Sequence, residues 1–297
     1  ILMSLSIILQ LLVNGLVAGA IYSLVSSGFS LIYSVNKFVH FAHGAVIAFS
    51  AYVLYYLFST LGISFWFAVV LSLIFSALLG YATNELIYKQ LRKRKSSPVI
   101  LLVSGLGFLI FLESLILIFF GADVKVINLI KVTKGLEFMG AIITPLQIVI
   151  ILVSIALLIF LFIFMKKFKL GKAMRAVSDN KEVAEIVGIS SEKIYSWSFI
   201  IGSAIAGIAA VLIGLEQNLE PTMGTNLMIK GMTASIIGGI GSVPGAILGS
   251  FLLGILENFG IWFLPSGYKD AIVFTLLFIF LLFRPQGLLG IKRRAEK

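Results

Sequence analysis

Residues 145–165 read PLQIVIILVSIALLIFLFIFM, 21 positions without a single charge. A helix needs about 20 apolar residues to cross the hydrocarbon core of a bilayer, and this run supplies them. A transmembrane β-strand would instead alternate apolar and polar residues over about 10 positions. The continuous apolar character therefore reads as a spanning helix opened by Pro145. Comparable stretches on either side extend the reading to the whole chain: an all-α, polytopic transmembrane helix bundle of about 8–10 spans, forming one domain over residues 1–297.

Composition agrees. Of the 297 residues, 60% are hydrophobic and only 12% charged, where soluble domains average about a quarter charged. A water-soluble globule of this size could not cover its surface with so few charges, whereas lipid accepts an apolar exterior. There are no cysteines, so disulfide and thiolate chemistry are excluded. The N-terminal run has no basic n-region and no small-residue cleavage site, so it reads as a retained span rather than a signal peptide. The net charge of +10 does not point to nucleic acid, because the basic residues sit at the ends of apolar segments.

Working outward, apolar spans are expected near 5–35, 45–61, 65–88 and 98–120 before the run at 145–165. After it they are expected near 195–215, 246–264 and 271–283. The first stretch is long enough for one tilted helix or two shorter pieces. Three segments hold 17 of the 23 basic residues: five in 89–95, seven in 166–193 and five in the tail from Arg284. Lys and Arg mark cytoplasmic loops, so an even number of crossings must separate these segments. The later interval needs four, or three plus a re-entrant arrangement that restores parity, and with three plain helices visible the glycine-rich stretch 228–245 is expected to cross as a short or broken helix.

Glycines and ionisable residues are the candidates for function. Gly15/Gly19 and Gly245/Gly249 have GxxxG spacing, and Ser203/Gly207 and Ala210/Gly214 repeat it with small residues, which lets helix backbones approach closely in lipid. Gly238, Gly239, Gly241, Pro244 and Gly245 are too dense for a regular helix, and broken helices at membrane depth line cavities. Neither a dinucleotide fingerprint nor a GxxxxGK[ST] phosphate loop is present. Glu113 and Glu257 lie inside spans, where carboxylates are costly and suggest function. Asn36, Lys37, His40 and His43 interrupt the apolar run. His40 and His43 lack nearby Cys, Asp or Glu, so no metal site and no catalytic triad is expected. The candidate solute pathway is therefore Asn36, His40, Phe41, His43, Glu113, Gly238, Gly239, Gly241 and Glu257, with no catalytic residue.

The polar segment 166–193 carries a different signal. Asp179 and Glu182 have the spacing of a capping box opening a short helix. Val183, Ile186 and Val187 give that helix an apolar face, and Gly188 terminates it. Two short amphipathic helices on the cytoplasmic side suit docking of a soluble partner.

Four stretches taken together resemble one family. They are Phe41-Ala42-His43-Gly44, the loop from Gly171 through Met174-Arg175-Ala176 and Asp179 to Gly188-Ile189, the run Ile237-Gly238-Gly239-Ile240-Gly241-Ser242-Val243-Pro244-Gly245-Ala246, and Arg284-Pro285-Gln286-Gly287-Leu288-Leu289-Gly290. The chain resembles the membrane-spanning permease subunits of branched-chain amino acid ABC importers of the high-affinity leucine/isoleucine/valine type. Within the loop, Glu182-Val183-Ala184-Glu185-Ile186-Val187-Gly188 is similar to the EAA-x-x-x-G docking motif of importers, with Val183 where alanine is usual. The resemblance implies a multi-pass cell-membrane (inner or plasma membrane) protein that pairs with a second homologous permease subunit, as a homodimer or heterodimer. It implies two cytoplasmic ATPase subunits docking at Gly171, Arg175, Asp179, Glu182, Ala184, Val187 and Gly188, and an external substrate-binding protein. This chain would bind no cofactor; ATP and Mg belong to the partners. The alternatives are an ABC permease for a sugar or nucleoside, and a stand-alone ion-coupled secondary transporter using Glu113 or Glu257.

Overall fold

The computed structural model describes residues 5–129, 135–138 and 140–290. Lys131 and Lys134, the first four residues, and the tail residues Lys292, Arg293, Arg294 and Lys297 lie outside the described residues. In chain order the helices are α1 (Leu5–Asn36), α2 (Ala42–Tyr55), α3 (Phe65–Thr83), α4 (Lys89–Lys93), α5 (Pro98–Phe120), α6 (Pro145–Lys167) and α7 (Lys169–Asp179). They continue as α8 (Lys181–Ile186), α9 (Ser191–Glu216), α10 (Met223–Gly238), α11 (Val243–Phe263) and α12 (Lys269–Phe283). A small antiparallel hairpin, β1 (Leu136–Phe138) and β2 (Ala141–Ile143), pairs Glu137 with Ile142; nothing in the sequence patterning announces it.

The local rules explain the boundaries. The long first stretch is one helix of 32 residues. It stops where Lys37 turns to a positive φ of 60°, a conformation that ends a right-handed helix. Pro98 and Pro145 open α5 and α6, the helical position where a missing N–H costs nothing. α5 ends at Gly121, whose φ is 78°. α2 and α3 each run on through one π-helical turn, Tyr56–Thr60 and Asn84–Tyr88.

Among the described residues, seven helices are long and apolar enough to span a bilayer. α10, with 16 residues, and α12, with 15, fall short of that length. Counting both gives nine apolar segments, within the expected 8–10. The glycine-rich stretch departs in one respect from its expected boundaries. It is not a single broken helix over 228–245. α10 is regular from Met223 to Gly238, the break is confined to 239–242, and α11 follows. The break is a turn, because Gly239 (φ 114°) and Gly241 (φ 85°) take left-handed backbone that other residues avoid.

The chain divides into two compact units. One takes α1 up to Ser30, the hairpin with α6 up to Leu158, and the described residues from Lys230 onward. Here α1 packs on α11 at near backbone contact. A Cβ placed on Gly15 would lie 2.8 Å from the Ile255 Cα, and one on Gly19 would lie 2.9 Å from the Phe251 Cα. The expected GxxxG packing is thus realised. Ser26 and Ser250 hydroxyls pair across the same seam at 2.6 Å. The tail folds under the α10–α11 turn: the Leu288 N–H donates to the Ile237 carbonyl (2.9 Å) and the Leu289 N–H to the Gly238 carbonyl (2.8 Å). The turn therefore lies on the same side as the tail.

The other unit takes Leu31 through the loop after α5, and Ile159–Ile229. α2 packs against α3, α5 and α9, and α3 packs against α9. Hydroxyls tie these helices together: Ser50 to Ser72 at 2.8 Å, and the Ser76 hydroxyl to the Ser203 carbonyl at 2.5 Å. Small residues permit the approach, since a Cβ on Gly207 would sit 2.9 Å from Ser76.

Candidate functional site

In the second unit the interruption at 36–44 builds a buried polar knot. The chain leaves α1 at Asn36, whose side-chain N–H donates to the Ile32 carbonyl and to the Ser198 hydroxyl, both at 2.9 Å. His40 is fully buried, and its Nδ1 shares a hydrogen bond of 2.8 Å with the Tyr88 hydroxyl. Rings close around it edge-on: Phe199 at 4.8 Å, Tyr88 at 5.3 Å and His43 at 6.0 Å between centroids. Phe41, half-buried, precedes α2, and His43 is buried within it. Gly105 gives Tyr88 its room, because a Cβ there would come within 2.6 Å of the hydroxyl. Tyr88 and Phe199 complete this knot around His40, and sequence reasoning did not single them out; an aromatic in a span carries no mark that it will pack on a histidine. No group of three or more His, Cys, Asp or Glu stands close enough to hold a metal ion among the described residues.

Glu113 is half-buried on α5 and accepts a hydrogen bond from the Thr225 hydroxyl at 2.5 Å. That bond joins α5 to the first turn of α10, where Gly224 meets Gly44 backbone to backbone.

In the first unit Glu257 is buried on α11, and each of its two oxygens accepts a hydrogen bond. The Lys230 ammonium donates to Oε1 at 2.8 Å and the Tyr22 hydroxyl donates to Oε2 at 2.9 Å. The Lys230 ammonium also reaches the Tyr22 oxygen at 3.3 Å and lies 3.6 Å from Asp270. Lys230 is the residue the sequence reading overlooked. The available signal was a lone lysine near the middle of an otherwise apolar segment, matched by a lone glutamate in the next one. An unpaired charge at such depth is expensive, and the two cancel each other.

The glycines expected to line a pathway have conformational reasons in this unit. Gly238 lies flat against the Gly245 backbone, with no room for a Cβ between them. Gly239 and Gly241 form the turn, and Gly239 packs on Gly287 and Gly290 of the tail. The Ser242 hydroxyl caps α11 by accepting from the Gly245 N–H at 3.2 Å.

The polar segment 166–193 forms the two expected short helices. α7 folds back on the end of α6, and only glycine fits at 171, since a Cβ there would lie 2.7 Å from the Met165 Cα. Gly171, Met174 and Val177 make its buried face. Arg175 is exposed, 3.5 Å from the Lys166 carbonyl. The capping box is corrected: Asp179 ends α7, and the cap of α8 is Asn180, whose side-chain oxygen accepts from the Val183 N–H at 3.1 Å. Asp179 and Glu182 are exposed instead. Gly188 ends α8 as expected, with φ 86° and the Ile189 N–H returning to the Ala184 carbonyl at 2.9 Å. Ala184 is buried, whereas Val183, Ile186 and Val187 are 55%, 83% and 68% exposed.

Residues 11–282 match the family model described as the permease component of branched-chain amino acid transport systems. The chain is 34% identical over 295 residues to the high-affinity branched-chain amino acid transport system permease protein BraD of Pseudomonas aeruginosa, covering 95% of each. It is 32% identical, again over 95% of each, to the corresponding permease LivH of Escherichia coli K12. Among solved structures it is similar to one described as PsaBC from Streptococcus pneumoniae in complex with Fab. That likeness has a TM-score of 0.51 at 16% identity over 92% of this chain and 91% of the other, a likeness of fold alone.

Proposed function

Because the chain belongs to the family of permease components of branched-chain amino acid transport systems, we propose that it carries branched-chain or other hydrophobic amino acids across the cell membrane as one half of an ATP-driven importer. It is a multi-pass membrane protein and a transporter subunit rather than an enzyme. In this reading ATP and Mg sit on two cytoplasmic ATPase subunits, a second permease subunit completes the channel, and an external binding protein delivers the solute. Movement comes from alternating access: ATPase closure pushes α7 and α8, and the helices they rest on tilt.

The observation that carries the reading is the exposed face of Val183, Ile186 and Val187 on a helix capped at both ends. A rigid, pre-ordered apolar knob suits transmission of a push better than a linker would. Val187→Asp in the assembled transporter should abolish leucine uptake and ATPase association while the external binding protein still captures leucine. Undiminished uptake would remove the docking assignment. Screening ligands of the cognate binding protein separates amino acids from sugars and nucleosides. Transport by the purified chain under an ion gradient without ATPase would favour an ion-coupled carrier instead.

A further inference from the structure

We propose that Lys230 and Glu257 are the pair of charges that the zwitterionic head of the transported amino acid engages on its way through the membrane; the proposal rests on the amino-acid reading above. Lys230 is the one cation more than a turn inside a helix end among the described apolar helices. Its partner is an equally interior carboxylate at 2.8 Å. The solute carries the same two charges on adjacent atoms, an ammonium and a carboxylate. Inserted between these residues, it would place its carboxylate on Lys230 and its ammonium on Glu257, so no charge at depth loses a partner. The side chain of a leucine or valine would need only apolar surroundings.

Three features of the site suit exchange better than a fixed strut. Exposure is graded: the Asp270 side chain is 68% exposed, that of Lys230 15% and that of Glu257 2%. The cluster thus leads from an accessible rim to a buried end. Asp270 opens α12, so it lies at the end of that helix away from the basic tail and the α10–α11 turn. Basic segments mark the cytoplasmic side, which puts the rim on the side from which an imported solute arrives. Lys230 also has a second carboxylate within 3.6 Å, and Tyr22 holds the far oxygen of Glu257 at 2.9 Å. Each member of the pair can give up the other without being stranded. A pair needed only for stability gains little by being charged, since buried ion pairs are commonly replaced by apolar residues of similar volume without loss.

The test uses the complete transporter in proteoliposomes with its binding protein. The wild-type complex must first take up leucine; if it does not, the functional reading fails and the pair is not at issue. Lys230→Met combined with Glu257→Leu then removes both charges together. The proposal expects an assembled complex with basal ATPase activity retained and leucine uptake lowered roughly ten- to hundredfold, the range for losing charged hydrogen bonds to a ligand. Uptake within about twofold of wild type would overturn it. Should that variant not assemble, Lys230→Glu with Glu257→Lys keeps the ion pair but reverses its polarity. The proposal expects assembly without uptake. Restored uptake, or failure of both variants to assemble, would make the pair a scaffold and overturn the assignment.

Discussion

Replacing Gly254 by alanine tests the α1–α11 seam with one methyl group. The new Cβ would lie 2.6 Å from the Gly15 carbonyl oxygen, where an ordinary carbon–oxygen contact is about 3.3 Å. Relief requires the helices to part by about 0.7 Å. The same seam holds Ser26 to Ser250 at 2.6 Å and Tyr22 to Glu257 at 2.9 Å. Parting by that amount stretches both bonds, to about 3.3 Å and about 3.6 Å, beyond the range of about 2.5–3.0 Å for a hydroxyl donor. Losing the bond to the charged group costs about 1.5–3 kcal/mol and losing the neutral serine pair about 0.5–1.5 kcal/mol, and keeping the helices together costs a similar amount in overpacking. Alanine returns about 1 kcal/mol of helix propensity, which leaves a net loss of about 2 kcal/mol. The detergent-solubilised protein should then unfold roughly 4–8 °C lower in a thermal scan followed by tryptophan fluorescence. Gly107→Ala is the control, since a Cβ there meets nothing within 4 Å; it should be neutral or slightly stabilising. A Gly254→Ala protein that melts with the wild type would refute the close-packed seam.

Asn180→Ala should cost about 1 kcal/mol and speed amide exchange at Val183, whereas Asp179→Ala should leave that amide unchanged; the reverse outcome would reinstate Asp179 as the cap. Gly188→Ala places a side chain at φ 86° and should fray the end of α8 by about 1 kcal/mol, read as faster exchange at Ile189. Tyr88→Phe strips the His40 Nδ1 of its partner in a buried site and should lower stability by about 1–3 kcal/mol, checked by thermal melting. Thr225→Val removes the donor to Glu113 while Thr225→Ser keeps it, so the valine variant alone should melt lower.

Much of this was legible because lipid leaves few solutions to backbone hydrogen bonding. The uncharged run at 145–165, the prolines at 98 and 145 and the glycines at 15 and 19 each have a local meaning that tertiary context did not override. The cap was misplaced by one residue because Asp179 and Asn180 are both good caps, and only the backbone decides: Asn180 is extended, with φ −152° and ψ 111°, while Asp179 is still helical. Lys230 escaped because a window over 228–245 reads as apolar, and a lysine counts against a span until its partner on another helix is known. The π-turns at 56–60 and 84–88 and the tail under the 239–242 turn depend on contacts far apart in sequence, which no local pattern carries.

The distribution of burial separates the helices by a rule opposite to that of soluble proteins. α6 has the highest mean hydropathy, 3.4, yet only 22% of its most apolar window is buried; α2 has the lowest, 1.3, and 61% is buried. Large aliphatic and aromatic side chains gain nothing by leaving lipid for protein, so the most apolar helices are left facing outward. What draws helices together is close backbone approach and the hydrogen bonds it permits. α9 shows which property decides. Its hydropathy of 2.3 is close to the 2.1 of α3, but 72% of its window is buried against 22%. The run GSAIAGIAA at 202–210 is almost free of bulk, whereas α3 turns Trp66, Val70, Ile74 and Leu78 outward on one stripe. Size, not hydropathy, selects the interior here. It follows that the buried polar groups lie on the helices that small residues bring together, as with Ser198 of α9, which accepts from Asn36, and Glu257 of α11, which accepts from Lys230.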